Sequence, residues 1–312
     1  MSSLSKTKGF IVTYYSTPAI SGGIYFASEN PSPETLAAQT KRLGEALNSC
    51  DAVLVGAGAG MSTAAGFDYS GPRFEENFAD FIEAFNIPDM YSGGFYPFPD
   101  EETFWAWWSR MIYVNRYAAG VGQPYLDLFA LVKDKDYFVL TTNVDHQFQL
   151  AGFDKNRLFY TQGDYGLFQC SRACTQETYN NENMVKAMVE QQRNMRIPTE
   201  LLPRCPHCGA PLTTNLRADN SFVEDEGWHK ACARYSDFTR RHEGMKVLYL
   251  ELGVGGNTPV IIKYPFWNAV DRNPQATYAC LNLGEACAPN AIANRSILIN
   301  SNLAPILAKL AE

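Results

Sequence analysis

The chain has 312 residues, of which 46% are hydrophobic, 13% aromatic and 19% charged, with a formal net charge of −7. This composition buries a sizeable core and excludes a disordered chain. The acidic balance argues against nucleic acid as a partner, and apolar runs such as 52–55 and 260–262 are far too short to span a membrane. Residues 1–23 hold only a short apolar stretch at 10–12, too little for a secretory signal. Their Ser/Thr richness faintly resembles an organelle presequence, but the first arginine is Arg42, so a cytoplasmic location is expected. Of the eight cysteines, four are grouped and four scattered (Cys50, Cys232, Cys280, Cys287), which suggests a metal site plus free thiols.

In chain order, Leu36, Leu43 and Leu47 with Ala37 and Ala46 predict a helix over 34–49. Residues 51–55 read as a buried parallel strand that runs into Gly56, Gly58 and Gly60 and then a small-residue helix over 61–66. Phe104, Trp107, Trp108, Met111 and Ile112 at helical spacing predict one helix over 101–117. This stripe reads either as core packing or as an exposed aromatic wall beside a site; Trp105 belongs to the same question. A helix over 125–133, strands over 137–141 and 158–161, and a polar stretch over 166–243 with a helix at 182–194 follow. Strands over 247–252 and 277–282 and a closing helix over 303–310 restore the alternating pattern.

The expected fold is therefore α/β: a Rossmann-like, doubly wound parallel sheet with a smaller inserted zinc-binding and helical module. Residues 30–80, 121–165 and 244–312 are assigned to the nucleotide-binding domain. Residues 81–120 and 166–243 are assigned to the small domain, and 1–29 to an N-terminal extension that reads as a lead, an extra strand or a targeting segment.

Three motifs carry chemistry. The glycine turn lacks both the third glycine of GxGxxG and the Lys-Ser/Thr of a Walker loop. It reads as a backbone nest for a pyrophosphate, helped by the hydroxyls of Ser62 and Thr63, or as a tight turn alone. Asn143 and Asp145 follow a strand's carboxyl end, where open α/β sheets bind ligands; they read as ribose or amide contacts or as turn formers. Cys170 with Cys174 and Cys205 with Cys208 form two hooks roughly 30 residues apart, suited to a closed, structural tetrahedral zinc; four unrelated thiols are the plain alternative. His207 lies inside the second hook without serving as a ligand; His229 and His242 could substitute for a cysteine but read more readily as ordinary surface histidines.

Taken in this order, the motifs resemble the sirtuins, NAD-dependent protein-modifying enzymes. Gly58, Ala59, Gly60, Met61 and Ser62 resemble the family's GAG-x-S loop, and residues 141–152 its Thr-Gln-Asn-x-Asp segment. Gln162, Gly163 and Asp164 stand where the family has His-Gly-Ser; Gly253, Val254 and Gly255 resemble its late Gly-Thr-Ser turn, and Asn282 its adenosine-side Asn. The likeness runs from about residue 34 to the C-terminus. The family's Pro-x-Phe-Arg is replaced by Asp68, Tyr69, Ser70 and Gly71, its Gln by Thr142 and its catalytic His by Gln162. With the Gly-Asn-Thr-Pro run at 256–259, these departures resemble the macrodomain-linked, class M branch.

That resemblance implies NAD as co-substrate, a structural zinc, and mono-ADP-ribosylation of a lipoylated glycine-cleavage-type carrier protein, reversed by a macrodomain hydrolase. It implies that the Gly58–Gly60 amides and Ser62 hold the pyrophosphate, with Thr63 nearby. Asn143 would fix the nicotinamide-side ribose, Asp145 would bind the carboxamide or order its loop, and Gln162 would orient ribose hydroxyls or the acceptor. Gly253, Gly255 and Asn282 would line the adenosine half, and Arg73 would reach toward the phosphates. A carboxamide cannot serve as the base that deacylation requires. A specialised deacylase and a non-catalytic NAD or ADP-ribose sensor are the competing readings; a hydride-transfer dehydrogenase is weakened by the missing GxGxxG.

Overall fold

The computed structural model describes residues 23–256 and 259–312. Its strands in chain order begin with β1 (Ile24–Phe26), β2 (Ala52–Ala57), β3 (Tyr137–Thr141) and β4 (Leu158–Tyr160). A small-domain set follows: β5 (Gly163–Cys170), β6 (Thr178–Asn180) and β7 (Leu212–Leu216). The last are β8 (Val247–Leu252), β9 (Thr277–Leu281), β10 (Cys287–Pro289) and β11 (Ser296–Ile299). The main sheet is six-stranded and parallel, in the order β11-β9-β8-β2-β3-β4. Strands β2 and β3 are buried at every position because helices cover both faces. The chain winds outward from β2 to β4, then returns to lay β8 on the other side of β2. The switch point between β2 and β8 is where such sheets bind ligands, just beyond the strands' carboxyl ends.

Helices Pro33–Ser49, Gln123–Val132 and Leu303–Ala311 cover one face, packing Leu43, Leu47, Leu128, Val132, Leu303 and Leu307 onto it. The first of them starts where Ser32 Oγ accepts the Thr35 N–H and Pro33 follows, two ordinary helix-start devices. Helices Glu226–Arg241 and Lys263–Arg272 cover the other face through Phe238, Phe266, Trp267 and Val270. No helix among the described residues is long and apolar enough to cross a membrane.

A second core lies beside the sheet, under the antiparallel set β6-β5-β7. Here the aromatic stripe proves to be core: Trp107 is fully buried, with ring centroids 4.5 Å from Phe78 and 5.2 Å from Phe81, while Trp105 packs on Phe168 at 4.8 Å. Trp108 is half-buried on the same cluster.

The structure departs from the expected layout in five places. Helix Pro72–Phe85 places Phe74 and Phe78 in the second core, so residues 72–80 pack away from the parallel sheet. Residues 226–241, expected in the small domain, pack on the parallel sheet through Trp228 on Phe159 and Phe238 on Phe138. The helix expected over 101–117 is α-helical only over Glu101–Ile112; Tyr113–Tyr117 forms a wider π turn, closed by the Ala118 N–H on Tyr113 O at 2.8 Å. The helix at Glu182–Gln191 stops short of 194, because Gln192 is already extended (ψ 140°), ahead of left-handed Asn194 and Met195. Finally, His242 is buried, not on the surface: it bonds to Phe238 O at 2.8 Å and Asp136 at 3.0 Å. Of the N-terminal extension, residues 24–26 form β1, paired antiparallel with β10; residues 1–22 lie outside the described residues.

Candidate active site

The loops after β2 and β8 meet backbone to backbone at the switch point. The Gly58 N–H donates to Leu252 O at 3.0 Å and the Gly60 N–H to Gly253 O at 2.9 Å. A Cβ on Gly58 would stand 2.8 Å from Gly253 O, and one on Gly60 would stand 2.7 Å from Gly253 Cα. A Cβ on Gly253 would meet Gly60 C at 2.5 Å, and its φ of +59° is left-handed. The glycines are thus required by the contact between the two loops. The expected use of the Gly58 and Gly60 amides as phosphate donors is corrected, because both are spent within the protein. Among the described residues, the N–H of Ala59, at the start of helix Ala59–Ala64, has no acceptor.

A partly buried hydrogen-bond network joins this turn to the loop after β3. Ser62 Oγ donates to Asp145 Oδ2 at 2.5 Å and shares a 3.0 Å bond with the Tyr125 hydroxyl. Asn143 Nδ2 donates to Gly58 O at 2.9 Å and to Tyr125 OH at 3.3 Å. The Gln147 N–H completes Asp145 at 3.2 Å. Burial pushes the Asp145 carboxyl above its ordinary range, against the Ser62 and Gln147 bonds, and no Lys, Arg or His among the described residues pairs with it. Burial likewise holds the Tyr125 phenol well above its usual value, so it stays a neutral hydroxyl. Tyr125 is the hub that the sequence reading missed; its aromatic position in a helix carries no sign of a polar role.

Gln162 occupies the turn between β4 and β5, half-buried. Its carbonyl accepts the Arg217 N–H at 3.0 Å, and its side-chain amide has no hydrogen-bond partner among the described residues. Two residues on, Asp164 is buried and gathers the His146 Nδ1 at 2.5 Å, the Gly166 N–H at 2.7 Å and Arg116 Nε at 3.3 Å. Burial works to raise the Asp164 pKa, but the His146 bond and charge, together with Arg116, outweigh it and hold the carboxyl below its ordinary value. His146 and Asp164 both lie inside the motif segments, yet their pairing is visible only once β3 and β5 are placed.

Other expected site residues take varied places. Thr63 is exposed on the helix after the turn. Asn282 Nδ2 donates to Val254 O at 2.9 Å, tying the β9 end to the Gly253–Gly255 loop, and the neighbouring Gly256 N–H donates to Glu285 at 2.7 Å. Arg73 turns inward, donating to Asn115 Oδ1 at 2.9 Å, Val114 O at 3.1 Å and Asp68 O at 3.1 Å. Both of its terminal nitrogens are thus bonded within the protein. Beside it, the Tyr69 and Tyr165 hydroxyls bond at 2.6 Å. Residues 257 and 258 of the Gly-Asn-Thr-Pro run lie outside the described residues.

The four grouped cysteines converge at the end of β5, all sulfurs within 4.8 Å of one another. Cys170 and Cys208 sulfurs are 3.6 Å apart, and Cys174 and Cys205 sulfurs 3.5 Å. A tetrahedron with Zn–S bonds of ~2.3 Å has edges of about 3.8 Å, so the set fits a structural zinc with no open position. His207 points away to Glu177 at 2.7 Å.

No family model matches the sequence. The chain is 40% identical over 270 residues to a "Protein ADP-ribosyltransferase" of Staphylococcus aureus, covering 86% of each chain. It is also 32% identical over 240 residues to a "Probable bifunctional ADP-ribose hydrolase/ADP-ribosyltransferase" of Fusarium oxysporum, covering 73% of this chain and 40% of that protein. Among solved structures, Sir2Tm bound to a propionylated peptide superposes with a TM-score of 0.54 at 18% identity, covering 87% of this chain and 96% of that one. A Sir2–p53 peptide–NAD+ complex gives 0.51 at 20% identity, with the same coverage. The structural likeness carries the fold and the close sequence relative carries the family: this chain belongs to the protein ADP-ribosyltransferases built on the sirtuin fold.

Proposed function

We propose that the chain transfers a single ADP-ribose from NAD to a protein and releases nicotinamide, its acceptor being a lipoylated carrier protein of the glycine-cleavage type. The observation that carries this reading is the half-buried Gln162 amide, standing where a deacylating relative would need a base. Breaking the bond between ribose C1′ and nicotinamide requires binding, orientation and stabilisation of positive charge, but no titrating group at that position. Attack of a ribose hydroxyl on an acyl group requires a base there, and a carboxamide has none to offer near neutral pH.

The residues then divide as follows. Ser62 and the Ala59 N–H face the pyrophosphate, with Thr63 alongside. Asn143, held by Tyr125 and Gly58 O, fixes the nicotinamide-side ribose. Asp145, buried without a cation, lies where a cationic nicotinamide ring or the developing charge at C1′ would balance it. Gln162 orients ribose hydroxyls, and Gly255 and Asn282 line the adenosine half across from Gly253. The macrodomain-linked branch and a hydrolase partner are supported by the Fusarium relative, whose name joins both activities. A cytoplasmic location fits the N-terminal composition.

The test is intact-mass analysis after incubation with NAD, once with a lipoylated carrier protein and once with an acetyl-lysine peptide. One added ADP-ribose on the lipoylated carrier alone, lost with Asn143→Ala, is expected. Loss of the acetyl group from the peptide would make the chain a deacylase. A melting temperature raised by NAD without nicotinamide release would make it a sensor.

A further inference from the structure

The transfer reaction leaves a proton to be placed. As the acceptor's nucleophile bonds to ribose C1′, the C1′–nicotinamide bond breaks, its electron pair leaves with nicotinamide, and the nucleophile loses its hydrogen. Gln162 cannot take that proton. We infer that His146, oriented by Asp164, takes it; this rests on the transferase reading above.

Geometry supports the assignment. An ionised carboxylate only accepts hydrogen bonds, so the 2.5 Å contact means that His146 Nδ1–H donates to Asp164 Oδ2. In the neutral ring this tautomer leaves the lone pair on Nε2, which has no partner among the described residues, on a side chain 27% exposed. Asp164 cannot swing away, because its Oδ1 is held by the Gly166 N–H and by Arg116. Arg116 is carried on the π turn Tyr113–Tyr117, the one irregular turn at the end of the long aromatic helix.

Backbone conformation gives a second, independent sign. His146 is left-handed, with φ 66° and ψ 12°, although it carries a side chain. Such strain persists where the surroundings over-determine it. Here the neighbours on both sides are committed: Asp145 bonds Ser62 and the Gln147 N–H, and the Leu150 N–H bonds His146 O at 3.1 Å. The ring, carried on the residue after Asp145, bonds Asp164 and so ties the Asn143–Asp145 segment to the Gln162–Asp164 segment, the two stretches that the transferase reading places around the reacting ribose. Asp164 is a positioning residue in this scheme, and the proton passes from the acceptor to Nε2 and on to solvent.

The test uses the full chain, NAD and a lipoylated carrier protein, with His146→Asn and His146→Gly. Asparagine tolerates the left-handed backbone and keeps an N–H for Asp164, but does not titrate. Glycine fits the backbone and leaves space for added imidazole. Expected for His146→Asn is a loss of roughly 10²-fold or more in transfer kcat, with KM for NAD and the NAD-induced rise in melting temperature kept within about twofold of wild type. Added imidazole should restore His146→Gly by about tenfold or more. Transfer by His146→Asn within about threefold of wild type overturns the inference. So does a parallel loss of NAD-induced stabilisation, which would mark a structural role, or failure of imidazole to rescue. If wild type releases nicotinamide but leaves the carrier unmodified, the acceptor reading fails alone; the same variants are then compared on release to water, whose proton the same base would take. Absence of nicotinamide release from wild type in both cases sinks both proposals.

Discussion

Two of the carboxylates buried near the carboxyl edge of the parallel sheet, Glu251 and Asp145, are surrounded by the fold in opposite ways. Glu251, fully buried on β8, meets Lys263 Nζ at 2.5 Å and accepts the Tyr278 hydroxyl at 2.7 Å and the Cys280 thiol at 3.3 Å. Asp145, nearly as buried, meets the Ser62 hydroxyl and the Gln147 N–H, with no paired cation among the described residues. The first cluster is closed: its charge is matched within the protein, and it ties helix Lys263–Arg272 to β8 and β9. The second keeps an unmatched charge beside the glycine turn, with the Asn143 amide and Tyr125 hydroxyl already in place. The charge of Glu251, neutralised by Lys263, is architecture; that of Asp145, without a paired cation among the described residues, is available to a ligand.

The largest expected effect would come from breaking the closed cluster. Lys263→Met leaves Glu251 buried and unpaired, which should cost about 3–5 kcal/mol in chemical denaturation. The double variant Lys263→Met/Glu251→Leu should recover most of that loss, since replacing both partners removes the stranded charge. If the single variant unfolds no more readily than wild type, the cluster is not the structural anchor described.

Next in size, and on the other cluster, Asn143→Ala should lower transfer by roughly 10²-fold or more while moving the melting temperature little, because the amide is only half-buried. Equal losses of activity and stability would erase the contrast between the two clusters. Tyr125→Phe removes the shared hydroxyl and leaves Ser62 and Asn143 each one partner short. It should destabilise by about 1 kcal/mol and reduce transfer less than Asn143→Ala does.

The smallest effect concerns pH. Because the folded-state pKa of Asp145 is raised, its contribution favours folding when it is protonated. That contribution is lost as pH rises through the raised value, so at neutral pH the ionised group is a cost. Asp145→Asn should therefore raise the melting temperature at pH 7 by about 2 °C. It should also flatten the decline of stability above pH ~4, the ordinary carboxylate value, while transfer falls. A variant that melts lower at pH 7 would mean that Asp145 is a structural member after all.

Local patterns made much of the molecule legible. The apolar runs that became β2 and β3, and the alternation of strands with helices, made a parallel sheet covered on both faces legible. The cysteine hooks were readable because metal ligands must fall at short spacings on each arm. Gln162 stood out because a motif position held the wrong chemistry. Register, packing and partnership were a different matter. Helix Pro72–Phe85 has the same kind of apolar stripe whether it covers the sheet or Trp107, so its place in the second core could not be read from periodicity. The glycines of the turn read equally well as a phosphate nest; only the approach of Gly253 shows that two of their amides are already used.

The sequence by itself determined strands β2, β3, β8 and β9 and the spacing of the candidate residues, since strand periods and ligand spacings act over a few neighbouring residues; helices Pro72–Phe85, Glu226–Arg241 and Lys263–Arg272 were not among the expected elements. The tertiary structure decided which of those residues meet. Ser62 and Asp145 lie 83 positions apart and His146 and Asp164 lie 18 apart, and each pair is made only where the parallel strands deliver their loops to the same end of the sheet. A hydrogen bond depends on a few tenths of an ångström between groups that the chain brings together last.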